Sequence, residues 1–534
     1  MRAIGILLRL NWNTVRASFF NIGNTLVGVV LILIGGCAWQ ASLQTGQQTG
    51  QQPGLQSVAD QTHQAGPELA HGAGNRGAVL PLRIPNPVLR PHRDAISAAA
   101  DISRQRIDTP RLGAMNQEPA IAAYYANGSD HLVLGWHHVS TGAARDALNF
   151  GGAVSHDSGQ TWQTRIYSQV GNSGSVMFDP FAAADAGTRR LWLGGLANRA
   201  FDEPASLPEQ AMYLFEAQGN STLSEGKIIS LDPFDDKPAA IFAANAQSSN
   251  GTLFITSRGA NRRSNDLTQT FQRFAATRGI GHQPAIFPDG EIITIAVETD
   301  GYSVSAIAAS TSTNLGNTFA RRPSVWVPNY QNLGTLDNAV PGEFRMAPFG
   351  QLALSAEGTV YYVFPDITGA AGSERNVDIL LTKSTDRGAS WSTPVVVNGD
   401  SPSPRDQFMP AIAVSPDGAL HIAYMDTRRS SELDSNTQIK LDIVYARSVD
   451  AGHSFSETFI TESPFDASTM IWRPYDNNYP QNFIGDYIGI AAPSNAVYIA
   501  YPDRRAPDTG QVQLMLAKLN FGIFADGFEA AGIY

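Results

Sequence analysis

The chain has 534 residues and a formal net charge of −11, and only 16% of its residues are charged. This balance offers no basic surface for phosphate groups, so the composition argues against nucleic-acid binding. The 49 glycines, 31 prolines and hydrophobic fraction of 43% favour a turn-rich, strand-rich fold with a substantial core. A single cysteine, Cys37, excludes an internal disulfide and a cysteine-based metal site.

Residues 1–38 have the pattern of an export signal. Three arginines precede an apolar run at residues 26–34, which is too short to cross a bilayer comfortably. The small residues before Cys37 resemble a bacterial lipobox, in which the cysteine is lipidated and becomes the mature N-terminus. Cleavage after Ala38 without lipidation remains the alternative. The protein is therefore expected to be an outer-membrane lipoprotein, periplasmic or extracellular.

Residues 39–77 are rich in Gln, Gly and Ala and show no hydrophobic periodicity. Such a composition predicts a disordered spacer between the signal and the folded body. The folded body is expected to cover residues 78–520 as a single domain. Residues 521–534 form an apolar C-terminal tail to which the sequence assigns no chemistry.

An eight-residue pattern, Ser-x-Asp-x-Gly-x-Thr-Trp, recurs in the folded body. It is typical of a tight hairpin turn, since Ser and Asp side chains bond to nearby backbone N–H groups and Gly accepts positive φ. The aromatic residue would begin the next strand and bury its ring against the sheet. Asn314 replaces Asp in the third copy, and Thr268 replaces Gly in the second. The five copies begin at Ser155, Ser264, Ser312, Ser384 and Ser448.

This pattern resembles the Asp-box repeats of the sialidase (bacterial neuraminidase) superfamily, which implies a β-propeller. From Asn116 onward a unit of roughly 60 residues repeats, within the range expected for propeller blades. Counting a unit without the pattern at residues 175–218, the sequence predicts an all-β propeller of seven four-stranded blades, or six if two units merge. The last unit offers three strands, so a strand from elsewhere must close the ring, and Val79–Ile84 is the predicted supplier.

The topology of a blade predicts where chemistry can lie. The loop before the first strand and the loop after the second strand share one face of the ring, opposite the five turns. Many charged side chains fall in these loops, which favours binding of a polar, anionic ligand, since arginine binds carboxylate through two parallel hydrogen bonds. The residues concerned include Glu118, His137, His138, Asp235, Glu298, Arg345, Arg405, Asp426, Arg428, Asp486, Tyr487 and Arg505.

The resemblance to sialidases implies three arginines that hold a carboxylate, a tyrosine nucleophile assisted by a glutamate, and an aspartate acid/base. Arg83 lies in a Leu-Arg-Ile-Pro sequence similar to the motif of the first arginine of that family. Arg345 and Arg405 open successive units, as the second and third arginines should. Arg428 and Arg505 are further candidates for substrate binding.

Tyr487 is the candidate nucleophile, with Asp426 and Glu298 as the other candidate catalytic residues. Asp94 and Asp101 are alternative candidates for the acid, although neither lies in a motif that matches the family. Arg and Asp residues that recur in successive units could instead pair with each other in a structural role. His137 and His138 are adjacent on a strand and point to opposite faces, so they are not expected to ligate one metal. No cofactor is expected.

The leading hypothesis is a sialidase-like glycoside hydrolase acting on acidic glycans. A non-catalytic propeller that binds glycans or proteins is the alternative, and a lyase acting on uronate-containing polysaccharides is a third option. The expected partner is a glycan or glycoconjugate. Nucleic acid is not expected, membrane contact is expected only through a lipid anchor, and the protein is expected to be a monomer.

Overall fold

The chain divides into two units, Met1–Val79 and Leu80–Tyr534. Among the residues that the structure describes, no helix is long and apolar enough to span a membrane. The structure is a computed structural model. It describes residues 20–22, 25–30, 42–45, 101–108, 114–140, 147–171, 174, 176–199, 206–300, 303–329, 348–368, 376–400, 405–430, 440–467, 484–504 and 512–521.

The described residues of the first unit form a small antiparallel sheet. Its strands are β1 (Phe20–Ile22), β2 (Thr25–Val30) and β3 (Ser42–Thr45), paired in the order β1-β2-β3. Strand β2 overlaps the apolar run of the predicted signal, and β3 lies at the start of the predicted spacer.

The described part of the second unit forms seven four-stranded antiparallel blades, which confirms the seven-bladed prediction. Blade 1 holds β5 (Ala114–Ala126), β6 (Ser129–Ser140), β7 (Ala147–Ser155) and β8 (Gln163–Tyr167). Blade 2 holds β9 (Val176–Asp185), β10 (Arg190–Asn198), β11 (Gln210–Gln218) and β12 (Lys227–Ser230). Blade 3 holds β13 (Ala239–Asn245), β14 (Ser248–Thr256), β15 (Ala260–Ser264) and β16 (Gln272–Ala275).

The remaining blades follow in chain order. Blade 4 holds β17 (Ile280–Ile286), β18 (Ile292–Asp300), β19 (Ser303–Ser312) and β20 (Ala320–Trp326). Blade 5 holds β21 (Gln351–Leu354), β22 (Val360–Ile367), β23 (Val377–Ser384) and β24 (Val395–Val396). Blade 6 holds β25 (Gln407–Val414), β26 (Leu420–Asp426), β27 (Lys440–Ser448) and β28 (Ser456–Phe459), and a short strand β29 (Phe465–Asp466) also pairs with β27. Blade 7 holds β30 (Gly489–Ala491), β31 (Ala496–Asp503) and β32 (Gln513–Asn520).

The fourth strand of blade 7 comes from the N-terminal side, as expected, but not from the predicted segment. Strand β4 (Asp101–Arg106) pairs antiparallel with β32 and closes the ring. The prediction of Val79–Ile84 is therefore wrong; that segment lies outside the described residues. Strand β4 was missed because its sequence, Asp-Ile-Ser-Arg-Gln-Arg, carries one apolar residue. An outermost strand needs little more than that, since none of the residues of β4 is fully buried: two are exposed and four are half-buried.

The core lies between the blades. The second strand of most blades is buried along nearly its whole length, because neighbouring sheets cover both of its faces. Each of the main apolar clusters joins side chains from adjacent blades, and the innermost strands contact one another around the ring. Such burial of both faces explains why these strands appear in the sequence as short, continuous apolar runs.

All five repeats form the predicted turn between the third and fourth strands of a blade. In the first, the Ser155 hydroxyl accepts a hydrogen bond from the Gly159 backbone N–H (3.0 Å) and donates to Asp157 (2.8 Å). Asp157 also accepts from the Thr161 backbone N–H (2.9 Å). The same three hydrogen bonds recur in the other four turns.

Each turn also connects its blade to the preceding one. The aromatic ring that follows the turn packs into the apolar cluster shared with the preceding blade, a contact that the sequence did not predict. Phe455 is buried, and the other four rings are half-buried. The rings concerned are those of Trp162, Phe271, Phe319, Trp391 and Phe455.

The strand order gives the ring two distinct faces. The turn face carries the five turns. On the opposite side, which we call the upper face, each first strand begins and each second strand ends. The upper face therefore carries the loops in which the sequence predicted a site.

Candidate functional site

Four of the predicted site residues cannot be placed. Arg83, Asp94, Arg345 and Arg505 lie outside the described residues. Of the three arginines that the sialidase resemblance requires, the described part of the chain therefore contains only Arg405.

Arg428 and Asp426 lie at the end of β26 on the upper face and bind each other. The Arg428 Nε lies 2.7 Å from Asp426 Oδ2, and its backbone N–H donates to Asp426 Oδ1 at 2.6 Å. The Nη1 of Arg428 binds Glu457 of the same blade at 2.8 Å. Burial raises the pKa of Asp426 to about 7, and the bonds from Arg428 oppose that shift. Both side chains are thus engaged within their own blade, which favours the structural interpretation of this pair.

Glu298 is likewise held within its own blade. The Arg321 side chain binds its two carboxylate oxygens at 2.9 Å and 3.0 Å. This two-bond geometry is the strong form of an arginine–carboxylate pair. Asp101, one of the alternative acids, is exposed and pairs with Asn520 at the outer edge of blade 7. These contacts do not bring Glu298 and Asp101 together at one reaction centre.

Among the described residues, Arg405 lacks the carboxylate partner that Arg262, Arg321 and Arg428 each have on the upper face. It lies just before β25, is half-buried, and its Nη1 is buried without a hydrogen-bond partner among the described residues. The next residue, Asp406, is fixed on both sides: its carboxylate accepts from the Val377 backbone N–H at 3.1 Å, and its own N–H donates to Thr427 at 2.9 Å. A buried guanidinium N–H without an acceptor is costly, so Arg405 is suited to an anionic ligand.

A second group of charges fills the upper face near blades 1, 2, 3 and 7. The ammonium of Lys237 lies 2.6 Å from Asp486, 2.7 Å from Asp179 and 3.6 Å from Glu118. We call these four residues the Lys237 cluster. All three carboxylates are almost completely buried. Buried carboxylates require a compensating charge, and the ammonium, with three N–H donors, supplies it.

Tyr487 lies beside the Lys237 cluster. Its hydroxyl donates to the Pro180 carbonyl oxygen at 3.3 Å, and the Lys237 ammonium lies 5.8 Å from the centre of its ring. The ring keeps partial solvent exposure. Burial raises the pKa of the Tyr487 phenol well above its usual value, and the carboxylates of the Lys237 cluster raise it further. Tyr487 is therefore a neutral phenol, which needs a base before it can act as a nucleophile.

Two histidines on β6, His137 and His138, have different partners. His138 Nδ1 lies 2.6 Å from Asn116 Oδ1 in a network that also includes Trp136. His137 Nδ1 lies 3.9 Å from Glu118. Burial and the neighbouring Lys237 lower the pKa of His137 to about 3, so its imidazole is neutral. Within the described part of the chain, no three His, Cys, Asp or Glu side chains are arranged to hold a metal ion.

The backbone of the Lys237 cluster is strained. Glu118, Asp179 and Lys237 have φ values of 51°, 48° and 47°, and each precedes a proline. Residues with a side chain seldom adopt this left-handed region, and each such residue costs on the order of 1–3 kcal/mol. The strain directs three charged side chains from three blades toward one point, so the surrounding contacts must offset it.

The sequence named Glu118, Asp486 and Tyr487 but missed Asp179 and Lys237. Asp179 was overlooked because blade 2 lacks the Ser-x-Asp turn and its beginning was poorly defined. A usable signal existed: a charged residue directly before proline occurs at equivalent positions in blades 1, 2 and 3. Taken together, the Glu-Pro, Asp-Pro and Lys-Pro pairs that begin at residues 118, 179 and 237 would have suggested that these three side chains meet on the upper face.

Comparison with family models and with curated proteins gives no match. Among solved structures, a sialidase of Trypanosoma rangeli is 13% identical with a TM-score of 0.40, over 66% of this chain and 60% of that one. The intramolecular trans-sialidase of Ruminococcus gnavus is 13% identical with a TM-score of 0.35, over 76% of this chain and 94% of that one. A Dyadobacter fermentans protein of unknown function is 11% identical with a TM-score of 0.41, over 79% and 99%.

The chain thus spans about 60% of the length of the Trypanosoma sialidase that it matches. These identities and TM-scores are too low to carry an argument about activity. The strand pairing itself establishes the architecture. The chain is a seven-bladed β-propeller, and its neighbours among solved structures include sialidases.

Proposed function

We propose that the upper face binds an acidic glycan and that Arg405 holds the carboxylate of this ligand. The observation that carries the proposal is the buried Arg405 Nη1, which has no partner among the described residues. A ligand carboxylate would supply the missing acceptor in the two-bond geometry that arginine favours. The resemblance of the five turns to Asp-box repeats supports a glycan as the source of that carboxylate.

The distribution of charge supports an orientation for this ligand. The Lys237 cluster contains three carboxylates and one ammonium, so it repels an anion. The ligand carboxylate is therefore expected near Arg405 at blade 6, with the rest of the sugar extending toward Tyr487 at blade 7. Blades 6 and 7 are neighbours, and their innermost strands, β25 and β30, contact each other.

The test is titration calorimetry with sialyllactose and with a glucuronate-containing oligosaccharide. We expect Arg405→Ala to weaken binding roughly 30-fold or more, since it removes a charged partner from a desolvated contact. Arg258→Ala is the matched control: Arg258 is also on the upper face, but it is 44% exposed and has Asp236 at 3.8 Å. Unchanged affinity in Arg405→Ala, or equal losses in both variants, would contradict the proposal.

Hydrolysis by a sialidase-like mechanism is the second candidate, and the position of Tyr487 favours it. A neutral tyrosine suits an anionic sugar as nucleophile, because a carboxylate would be repelled by the substrate. Its raised pKa requires a base, and Glu118, Asp179 and Asp486 are nearby carboxylates whose charge acts on it. Asp426 and Glu298 remain candidates only if their arginine partners move.

Turnover of a fluorogenic sialoside separates the two candidates. A hydrolase should lose turnover in Tyr487→Phe while retaining affinity for sialyllactose. Binding without turnover by the unaltered protein would leave a glycan-binding propeller. Cleavage of a uronate polysaccharide with formation of an unsaturated product would identify a lyase instead.

We also propose that the protein is exported, on the basis of its N-terminal sequence. The arginines, the apolar run and Cys37 support this proposal. Labelling of cells with a radioactive fatty acid would test lipidation, and loss of label in Cys37→Ser is the expected result. Secretion without label would favour cleavage after Ala38.

A further inference from the structure

Lys237 binds the two segments that together hold Tyr487. Its ammonium contacts Asp486, the residue before Tyr487, and Asp179, the residue before Pro180. The carbonyl oxygen of Pro180 is the acceptor for the Tyr487 hydroxyl. We infer that Lys237 is the positioning residue for Tyr487, which fixes the phenol at the sugar-binding side of the upper face. This inference rests on the proposed function, since Tyr487 matters for activity only if the upper face binds a ligand.

The contacts of Lys237 span the ring. Lys237 belongs to blade 3, Asp179 to blade 2 and Asp486 to blade 7, and blades 3 and 7 are not neighbours. The Lys237 backbone N–H also donates to Asp179 at 3.3 Å, and the Asp486 backbone N–H donates to Glu118 at 3.2 Å. One side chain therefore joins a segment of blade 3 to segments of blades 2 and 7, and the Tyr487–Pro180 hydrogen bond is a second direct contact between blades 2 and 7.

The positive charge of Lys237 is as important as the length of its side chain. Without the ammonium, three buried carboxylates would face one another, and their mutual repulsion would separate the segments that carry them. Tyr487 would then lose its fixed distance to the Pro180 carbonyl. Lysine suits this position because its compact ammonium has three donors that can point in three directions. The planar guanidinium of arginine cannot place its donors in the same way.

Hydroxyl-radical footprinting of the full chain, read by mass spectrometry, tests the inference without reference to activity. We expect Lys237→Met to increase the oxidation rate of Tyr487 at least threefold while Tyr445, a buried tyrosine of blade 6, stays unchanged. Lys227→Met is the matched control, because Lys227 is also a partly buried lysine but donates to Thr268. An unchanged Tyr487 rate in Lys237→Met would overturn the inference.

A variant that unfolds would expose both tyrosines, so a milder change accompanies it. Asp179→Asn removes one charge of the cluster while keeping its shape, and a smaller increase confined to Tyr487 is expected. Equal increases at Tyr487 and Tyr445 in this variant would show that the contact only maintains the fold, and would also overturn the inference.

A double-mutant cycle on sialoside turnover then connects the inference to function. Lys237→Met should reduce turnover at least tenfold in the unaltered chain, with affinity retained, and cause no further loss of the residual turnover in the Tyr487→Phe background. The same loss in both backgrounds would show that Lys237 acts independently of Tyr487. If the unaltered protein neither binds nor cleaves acidic glycans, the proposed function fails, and footprinting alone decides the role of Lys237.

Discussion

The two faces of the propeller differ in how their polar groups are organised. On the turn face, five turns repeat one set of hydrogen bonds, with near-identical distances, in five blades. On the upper face, each blade contributes a different ion pair or none, and Lys237 joins residues of four blades. The turn face distributes its stabilisation over repeated local contacts. The upper face concentrates its stabilisation in buried ion pairs, each of which occurs once and is not repeated from blade to blade.

The largest expected effect comes from breaking a buried ion pair of the upper face. Asp235→Ala leaves the Arg262 guanidinium, which is 1% exposed, without the carboxylate that it binds at 2.8 Å and 2.6 Å. We expect a loss of about 3–5 kcal/mol in the free energy of unfolding, measured by urea denaturation.

Ser384→Ala is the matched change on the turn face. It removes one turn hydroxyl that accepts from Gly388 and donates to Asp386. The expected loss is about 1 kcal/mol, as for other local side-chain to backbone contacts. Equal losses in the two variants would contradict the contrast between the faces.

Disrupting the strand β4 that closes the ring should have the next largest effect on stability. Ile102→Asp places a charge where the Ile102 side chain packs against the core of blades 6 and 7. We expect a loss of about 2–4 kcal/mol, comparable to removal of a buried aliphatic side chain. Ser103→Asp is the control, since Ser103 is exposed on the same strand. Tolerance of Ile102→Asp would mean that β4 does not close the ring in solution.

The dependence of stability on pH distinguishes the turns that contain aspartate from the turn that contains asparagine. Hydrogen bonds, above all from the Ser390 side chain, lower the pKa of Asp386 to about 2. A depressed carboxyl pKa stabilises the fold above about pH 4, and that stabilisation is lost as the pH falls through about 2. Asp386→Asn should therefore be less stable than the unaltered protein at pH 7, with a difference that shrinks toward pH 2 in thermal unfolding.

Asn314 provides a natural control for this experiment. It occupies the equivalent place in the third turn and makes the same contacts without a titratable group. Asn314→Asp should introduce the pH dependence that Asp386→Asn removes. A constant difference between the variants across this pH range would refute the assignment.

The same contrast explains what the sequence could predict. The turns were predictable because Ser155, Asp157 and Gly159 and their repeats interact within eight residues, so spacing alone determines their geometry. The number of blades followed from the repeating unit of roughly 60 residues, counting one unit at residues 175–218 that lacks the turn. The contact of Lys237 with Asp179 has a weaker signal in the sequence, a charged residue directly before proline, because the contact depends on the closed ring and on strained backbone at two prolines. Arg428 and Glu298 show the opposite error. Their residue types suggested roles in substrate binding and catalysis, but each forms an ion pair with a residue of its own blade.

The smallest expected effect concerns the second turn, in which a threonine occupies the glycine position. Thr268 has a φ of 69° at the place where the other turns have glycine, and a β-branched residue in this region is strained by about 1–2 kcal/mol. The Thr268 hydroxyl donates to Glu216 at 2.9 Å and accepts from Lys227 at 3.1 Å, contacts that offset this strain. Thr268→Gly removes both, so we expect a net change within about 0.5 kcal/mol in urea denaturation. In a Lys227→Met background one of the lost contacts is already absent, so the same substitution should become stabilising. A large loss in both backgrounds would mean that Thr268 is held mainly by its contacts and that its backbone is not strained.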